Sequence, residues 1–425
     1  MLVNKIRIGY LLTSIVMLSL SFSATTLAQS AGDNGFRIGK LRLHPSFNVI
    51  SGYSTNPNRL QEASRGDASI SVSPGLDLNL KSPKIDLSGS LNYDYRHYLG
   101  INDTDTVKLS ELSRHAANLS LHAALMKKTR LPIGISLSYV RGDEPQNNTQ
   151  GTKLAYNRIS GNIDLKYKPG AGALIWSVNL APSVNRFDAD TADSFETMTL
   201  NTTSSLLWKF FPRTAMFLDA NYNATRYLND SDQQDVGVAH GNIGLSGQLT
   251  SKMSTLFKVG YGDNLLSGDA HQSSVVGRVE FKYRLTPRTR ITLGADRGIL
   301  PATVYEYYVR SGGFLGAEMK FAKRFVAASK IDVGLIEYGP NSTRPDKVDE
   351  AADSTLRRTD LDISAETALS AKIRNFLVLA LSHKLYYRDA QGYTTQTAAT
   401  DGNPAATINY GYVVNEIFFR IAARY

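Results

Sequence analysis

The sequence contains no cysteine and, outside its first residues, no apolar run long enough for a membrane-spanning helix. The absence of cysteine from all 425 residues excludes disulfides, thiolate metal sites and cysteine nucleophiles. After residue 28, the sequence has no run of about 18 apolar residues, so no transmembrane helix is expected there. Two tryptophans accompany 22 tyrosines and 16 phenylalanines, which is typical of β-rich chains with amphipathic aromatic side chains. This composition disfavours a helical bundle.

The first residues have the pattern of an export signal. Lys5 and Arg7 form a basic segment, residues 8–22 are almost uninterruptedly apolar, and Thr26-Leu27-Ala28 places small side chains where signal peptidase cleaves. We predict a signal peptide over 1–28, then a short periplasmic N-terminal segment over 29–40. The alternative, an uncleaved membrane anchor, requires a longer apolar segment.

From residue 85 onward, side chains alternate between apolar and polar, as they do on the two faces of a β-strand. Ile85, Leu87, Leu91, Tyr93 and Tyr95 share one parity, and Asp86, Ser88, Ser90, Asn92, Asp94 and Arg96 share the other. The same alternation recurs over 158–167 and 275–285, with several charges on each polar face. A soluble β-sandwich would also alternate, so periodicity alone leaves both architectures open.

The length and spacing of the predicted strands favour a membrane barrel. About eighteen strands follow one another between 41–54 and 410–425, and many match the ~9–11 residues that cross a bilayer at a tilt. Their connectors alternate between short and long, as in outer-membrane barrels. We therefore predict an all-β fold, a closed antiparallel transmembrane β-barrel of 16 to 18 strands over 41–425, with short periplasmic turns and long extracellular loops, in the outer membrane of a Gram-negative bacterium.

The two classes of connector differ in charge. The eight short connectors (81–84, 127–131, 168–173, 209–214, 250–254, 286–290, 322–324 and 370–375) hold fifteen Lys and Arg and no Asp or Glu. The long connectors hold Asp103, Asp105, Asp143, Glu144, Asp188, Asp190, Asp193, Asp230, Asp232, Asp235, Asp346, Asp349, Glu350 and Asp353. This separation predicts one basic and one acidic rim, and the basic rim suits anionic lipid headgroups or a periplasmic partner. The alternative is solvated turns without a specific partner.

If the apolar parity faces lipid, the polar parity faces an enclosed lumen. The predicted pore-lining residues are Asp94, Arg96, Arg158, Asp164, Lys166, Arg278, Glu280, Lys282, Arg284, Lys384, Arg388, Arg420 and Arg424. Such charges would set the field inside a narrow pore. The alternative for each is an ion pair with a neighbouring strand.

Aromatic residues gather near the ends of the predicted strands. They are Tyr95, Tyr98, Trp208, Phe210, Tyr305, Tyr307, Tyr308, Tyr410 and Tyr412. We expect them to form girdles at the two membrane interfaces.

The C-terminus alternates in the same way and stops on an aromatic residue. Ile417, Phe419, Ile421, Ala423 and Tyr425 share one parity. This pattern resembles the signal that the outer-membrane barrel assembly machinery reads, and the alternative is an ordinary terminal strand. We therefore expect the assembly machinery, outer-membrane lipid and lipopolysaccharide as partners.

The sequence offers no catalytic constellation. His44, His97, His115, His122, His240, His271 and His383 form neither an H-x-H pair nor an H-E-x-x-H motif, and no nucleophile elbow, P-loop or dinucleotide fingerprint occurs. We predict no enzymatic activity, no cofactor and no metal site. The acidic run over 188–193 lacks the glycine and terminal Glu of a calcium-binding EF-hand, so solvated loops are expected, with divalent bridging to lipopolysaccharide as the alternative. The basic excess lies in turns rather than in an aromatic groove, so nucleic-acid binding is not expected.

A family resemblance adds a more specific expectation. The segments Leu41-Arg42-Leu43-His44-Pro45-Ser46-Phe47, Gly52-Tyr53-Ser54-Thr55-Asn56 and Ser73-Pro74-Gly75 resemble the opening of the β-barrel porin 2 family. That resemblance implies an outer-membrane barrel that takes part in polysaccharide export. Because the predicted periplasmic segment is short, we expect an exporter of this kind to need a periplasmic export protein, which would dock at the basic turns. The alternatives are a diffusion porin for small solutes and a surface adhesin or structural anchor.

Overall fold

The computed structural model describes residues 35–57, 65–103, 108, 113–142, 155–170, 172–188, 196–229, 235–265, 271–301, 307–339, 358–391 and 411–425. The predicted signal peptide and residues 29–34 lie outside these ranges, as do most of the acidic residues of the long connectors. Within them, no helix is long and apolar enough to cross a membrane.

The described residues form nineteen β-strands. They are β1 (Phe36–Ile38), β2 (Leu41–Ser54), β3 (Asp67–Lys81), β4 (Ile85–Tyr98), β5 (Arg114–Leu125), β6 (Ile133–Gly142), β7 (Tyr156–Tyr167), β8 (Leu174–Phe187), β9 (Thr197–Phe211), β10 (Thr214–Tyr227), β11 (Val236–Gln248), β12 (Met253–Asp263), β13 (Ser273–Thr286), β14 (Thr289–Pro301), β15 (Tyr307–Phe321), β16 (Phe325–Tyr338), β17 (Thr359–Arg374), β18 (Leu377–Gln391) and β19 (Tyr412–Arg424). Most exceed the ~5–6 residues usual in soluble sheets.

Strands β2 to β19 form a closed antiparallel barrel of 18 strands. Each pairs with the next along the chain, and β19 returns to pair with β2 from Glu416–Ser54 to Arg424–Ser46. The short β1 lies outside the barrel order and forms a hairpin with the start of β2. Closure leaves the barrel without an unpaired strand edge, which is the condition for a β-sheet to lie in hydrocarbon. The predicted fold class is confirmed.

The outer surface of the barrel is apolar. Large side chains of the apolar parity remain exposed along the strands, among them Leu137 at 54% and Leu218 at 56% of their full accessible surface. A soluble protein would have to bury these residues, whereas lipid covers them at no cost. The residues Ile417, Phe419, Ile421 and Tyr425 are also exposed on this face.

Short turns join the strands at one rim of the barrel, and the predicted basic residues lie there. Several turns are tighter than the sequence indicates, because β17 continues to Arg374 and β12 begins at Met253. At this rim Lys127 forms an ion pair with Asp86, and Lys320 lies 3.5 Å from Glu318. Both chain ends of the barrel, Leu41 and Arg424, also lie at this rim.

The outer end of the hairpin formed by β14 and β15 bends into the barrel. The β13–β14 ladder stops at Gly277–Arg297, although both strands continue beyond it. There Ile299 extends past β13 towards Gly262 of β12, where an added Cβ would lie 2.8 Å from the Ile299 Cγ2 atom. We call residues 298–301 and 307–310 the inturned hairpin end. Its apolar face packs on β11 and β13 in a buried cluster of Val236, Val238, Val276, Ile299, Tyr307 and Val309.

Candidate functional site

The polar parity forms the concave face of the barrel. Arg96 of β4 lies over the ring of Phe418 of β19, 5.8 Å from its centroid, although β2 and β3 run between them. Arg278 of β13 similarly lies 5.2 Å from the ring centroid of Phe314 of β15. Side chains separated by one or two strands meet in this way only on the inner surface of a curved sheet.

All thirteen predicted pore-lining residues share this inner face. The strand registers place Asp94 and Arg96 on β4, and Arg158, Asp164 and Lys166 on β7. Strand β13 carries Arg278, Glu280, Lys282 and Arg284, strand β18 carries Lys384 and Arg388, and strand β19 carries Arg420 and Arg424. Their influence on passing solutes stays a prediction.

Many of these charges are neutralised by neighbours. Glu280 accepts from Arg278 at 2.6 Å and from Lys282 at 2.5 Å, and Lys166 contacts Asp164 at 2.5 Å. Lys384 also lies 3.5 Å from Glu366, and Arg424 lies 2.9 Å from Asp77. The pairs of Lys384 and Arg424 join different strands, as the ion-pair alternative expects, whereas those of Glu280 and Asp164 lie within one strand. All of these charges contribute less to the field in the lumen than isolated charges would.

A buried ionic cluster lies at the long-connector end of β17 and β18. Arg388 contacts Asp362 at 3.0 Å and Asp360 at 3.4 Å, and Arg358 contacts Asp360 at 2.6 Å. All four side chains are at most 3% exposed. Three of these residues, Arg358, Asp360 and Asp362, were not predicted from the sequence, although their i, i+2 spacing places them on one strand face.

A second ionic group joins the neighbouring strands β14, β15 and β16, and its two central members, Arg310 and Asp332, are buried. Arg310 contacts Asp296 at 3.0 Å and Asp332 at 2.5 Å, and Lys330 lies 3.5 Å from Asp332. The guanidinium of Arg310 therefore links the base of the inturned hairpin end to the barrel wall. We call the inner face of β13–β18 the charged wall.

The inner face of β8, β9 and β10 is different, because it is almost free of charge. Ile175, Leu207 and Phe217 form an apolar layer on this face near the short-turn rim. Between that layer and the other rim, the residues are Ser177, Asn179, Ala181, Ser183, Asn185, Thr197, Thr199, Asn201, Thr203, Ser205, Asp219, Asn221, Asn223 and Thr225. Among them, only Asp219 is ionisable, and Ser205 donates to it. Asn221 donates to Asn201 at 3.0 Å and to Thr203 at 2.8 Å. We call this surface the amide–hydroxyl wall.

The predicted aromatic girdles are only partly correct. Tyr95, Trp208 and Phe210 are exposed on the outer face, as interfacial aromatics would be. Tyr98 and Tyr412 instead face inward and are buried, and Tyr307 is buried as part of the inturned hairpin end. Tyr308 also lies on the inner face, where it packs against Tyr338. The prediction is wrong for these four residues, because strand-end position alone does not specify which face of the sheet a side chain occupies. Tyr305 and Tyr410 lie outside the described residues.

No group of His, Asp and Glu that could hold a metal ion occurs in the described ranges. Most of the acidic run over 188–193 lies outside them. Asp188, which is described, contacts Arg141 at 2.5 Å, so this carboxylate is already paired.

Closure, an exposed apolar outer face and a polar lumen together identify the type of protein. The chain is an outer-membrane β-barrel. No sequence-family model matches it, and no curated protein matches it significantly. The resemblance of residues 41–75 to the β-barrel porin 2 family therefore stays a prediction.

Several solved barrels are similar in structure. The siderophore receptor PirA from Pseudomonas aeruginosa is 9% identical with a TM-score of 0.47, covering 90% of this chain and 80% of that chain. The FrpB iron transporter from Neisseria meningitidis is 8% identical with a TM-score of 0.47, covering 90% and 81%. The copper transporter OprC is 8% identical with a TM-score of 0.46, covering 92% and 82%. No function is transferred from similarity at this level.

Proposed function

We propose that the barrel is a passive conduit for a polyhydroxylated chain and takes part in exporting a secreted polysaccharide. The observation that carries this proposal is the amide–hydroxyl wall. Ser and Thr hydroxyls and Asn amides both donate and accept hydrogen bonds, as sugar hydroxyls do. A surface of this kind can exchange hydrogen bonds with a moving sugar chain without holding it by charge.

The width of the barrel is compatible with such a chain. Barrels of 16–18 strands leave an aqueous channel inside, whereas eight-stranded barrels are filled by their own side chains. The inturned hairpin end occupies part of this cross-section, on the side of β11–β13. The amide–hydroxyl wall begins on the adjoining strand, β10, so a chain would pass beside the hairpin along this wall.

The outward direction rests on the resemblance of residues 41–75 to a family associated with polysaccharide export. A periplasmic export protein would then deliver the chain at the short-turn rim, where the fifteen Lys and Arg lie. Basic turns suit a partner with an acidic surface, and they also suit the anionic headgroups of the membrane and lipopolysaccharide.

Deleting the gene and measuring surface polysaccharide tests export directly. We expect polymer output to fall and to recover when the unchanged gene is restored. A complementing variant with Asn201 and Asn221 both replaced by Leu should fold but restore less polymer, because the wall loses its amides. Normal polymer output in the deletion strain would remove the export function.

The second candidate is a diffusion porin, which the same water-filled barrel would also support. Purified protein in planar bilayers should give a steady single-channel current under either function. Two measurements then separate the functions. A diffusion porin should admit small sugars rapidly in liposome swelling, and its deletion should leave polymer output unchanged. A protein that carries no current would instead fit the surface adhesin or anchor.

A further inference from the structure

A cleft in the inner wall at the short-turn rim has the chemistry of a sugar-binding site. It has a volume of about 520 Å³ and is lined by β19, β2–β5 and the β17–β18 turn. This is within the range of small-ligand pockets. The cleft opens where a chain from the periplasm would enter the barrel.

Most of the cleft lining is neutral and hydrogen-bonding. Ser90 and Ser120 share a hydrogen bond of 2.7 Å, and Asn92 lies beside them. Phe376, in the turn between β17 and β18, is 51% exposed and presents a ring at the edge of the cleft. Hydroxyls and amides can bind sugar hydroxyls, and an aromatic ring offers a flat surface to the apolar face of a sugar.

The charges of the cleft are not balanced. Arg424 is paired with Asp77 at 2.9 Å. Arg420 donates from Nη2 to the amide oxygen of Asn48 at 2.8 Å, while its buried Nε has no hydrogen-bond partner. Of the ionisable lining residues, Asp77 is therefore the single carboxylate beside two guanidinium groups.

Asp94 is the further carboxylate that attracts Arg420 electrostatically. It does not line the cleft, and its Oδ1 atom accepts hydrogen bonds from Ser71 and Ser73. An unsatisfied buried N–H on a cation favours an anionic oxygen as its partner.

We propose that this cleft is the entry site for the conduit and binds a sugar unit that bears a carboxylate, with Arg420 as its partner. The inference deepens the proposed export function, since it names an acidic polysaccharide as the chain. A neutral chain would satisfy the serines and asparagines but would leave Arg420 without its anion.

Isothermal titration of the purified barrel in detergent tests the site, with hexagalacturonate and maltohexaose as acidic and neutral probes of equal length. We expect hexagalacturonate to bind the unchanged protein about tenfold more tightly than maltohexaose. Arg420→Gln should abolish this preference and Arg420→Lys should retain part of it. The control Arg226→Gln removes an equal charge from the outer face and should leave both affinities unchanged.

Equal affinity for the two probes, or a preference that survives Arg420→Gln, would overturn the proposal. Galacturonic acid that binds as tightly as the hexamer would overturn the assignment to a chain. Folding of each variant is verified by its heat-dependent shift in gel electrophoresis, and Asn92→Ala, which should weaken binding of both probes, gives a second test if Arg420→Gln does not fold. Titration requires no transport, so the site can stand if export fails, and export of a neutral chain can stand if the site fails.

Discussion

Arg388 holds two carboxylates of the adjacent strand, and all three groups are at most 3% exposed. Removing charges from water costs several kcal/mol for each ion, and this cost is recovered only when every charge keeps its partners. The ionic cluster of β17 and β18 therefore acts as a unit, because removing one charged side chain leaves another buried without its partner.

Arg388→Met should lower the free energy of unfolding by about 3–5 kcal/mol, because Asp362 would lose both of its hydrogen bonds from this guanidinium. Urea unfolding of the detergent-solubilised barrel measures the change. Arg226→Met serves as the control, since Arg226 is exposed and lies 3.9 Å from Asp235, and it should cost less than about 1 kcal/mol. Similar costs for the two variants would show that the cluster is not a buried ionic unit.

Gly262 is a glycine because another strand passes directly over it. An added Cβ would lie 2.8 Å from Ile299 Cγ2 and 3.0 Å from Val276 Cγ1. Gly262→Val should therefore destabilise the barrel by about 1–3 kcal/mol and displace the inturned hairpin end. Urea unfolding gives the first effect, and a higher single-channel conductance would report the second.

Gly298→Val is the matched control, because an added Cβ at Gly298 meets no atom within 4 Å. It should change the free energy of unfolding by less than about 1 kcal/mol. If the two valines have equal effects, the contact between Ile299 and Gly262 does not hold the hairpin in place.

Among the elements, regular strands were predictable and departures from them were not. Period-two alternation indicates Ile85–Tyr98 or Ser273–Thr286 because each has one face in lipid and one in water. The β13–β14 ladder ends at Arg297, yet β14 continues to Pro301 inside the barrel. There the apolar side chains pack on the barrel wall instead of facing lipid. An apolar residue such as Ile299 fits the alternation equally well in either environment, so the sequence does not distinguish them.

The last strand contributes both to closure and to the predicted assembly signal. Tyr425 is exposed on the outer face, donates its N–H to the Pro45 carbonyl at 3.1 Å and packs against the ring of Phe36. Tyr425→Ala should reduce the folded barrel in outer-membrane fractions severalfold while leaving refolding into detergent unchanged. Immunoblotting of unheated samples measures the folded form.

Tyr53→Ala tests whether this effect is specific to the terminal residue. Tyr53 is a similarly exposed outer-face tyrosine on β2, which pairs with β19. The Tyr53→Ala variant should assemble normally. Equal losses for the two variants would mean that the outer face, rather than the terminal aromatic, limits assembly.

For the molecule as a whole, charge and connector length together predict how it is inserted. The basic short turns should face the periplasm and the long connectors the exterior. Because the sequence has no cysteine, single cysteines report this orientation without background. Asn229→Cys, after β10, should react with an impermeant maleimide on intact cells, whereas Ser251→Cys, between β11 and β12, should react only after the outer membrane is permeabilised. The reverse pattern would invert the assigned rims.

The closed barrel and the parity of all thirteen lumen residues could be predicted from the sequence, because both follow from local alternation. The pairing of individual charges in the lumen could not, since it depends on the register between neighbouring strands. Arg310 and Asp332 illustrate this limit. They are 22 positions apart in sequence, and the strand register brings them to 2.5 Å.

Phe36 and Tyr425, near the two ends of the described part of the chain, lie side by side, so the position at which the ring of strands is opened depends only on covalent order. The rings of Phe36 and Tyr425 lie 5.2 Å apart, so a few added residues could join residue 425 to residue 36. A circularly permuted chain, reopened within a long connector, would keep every strand pair and should refold in micelles. It would no longer end on Tyr425. It would thus distinguish the role of the last strand in closing the barrel from the role of a terminal aromatic residue in assembly at the membrane.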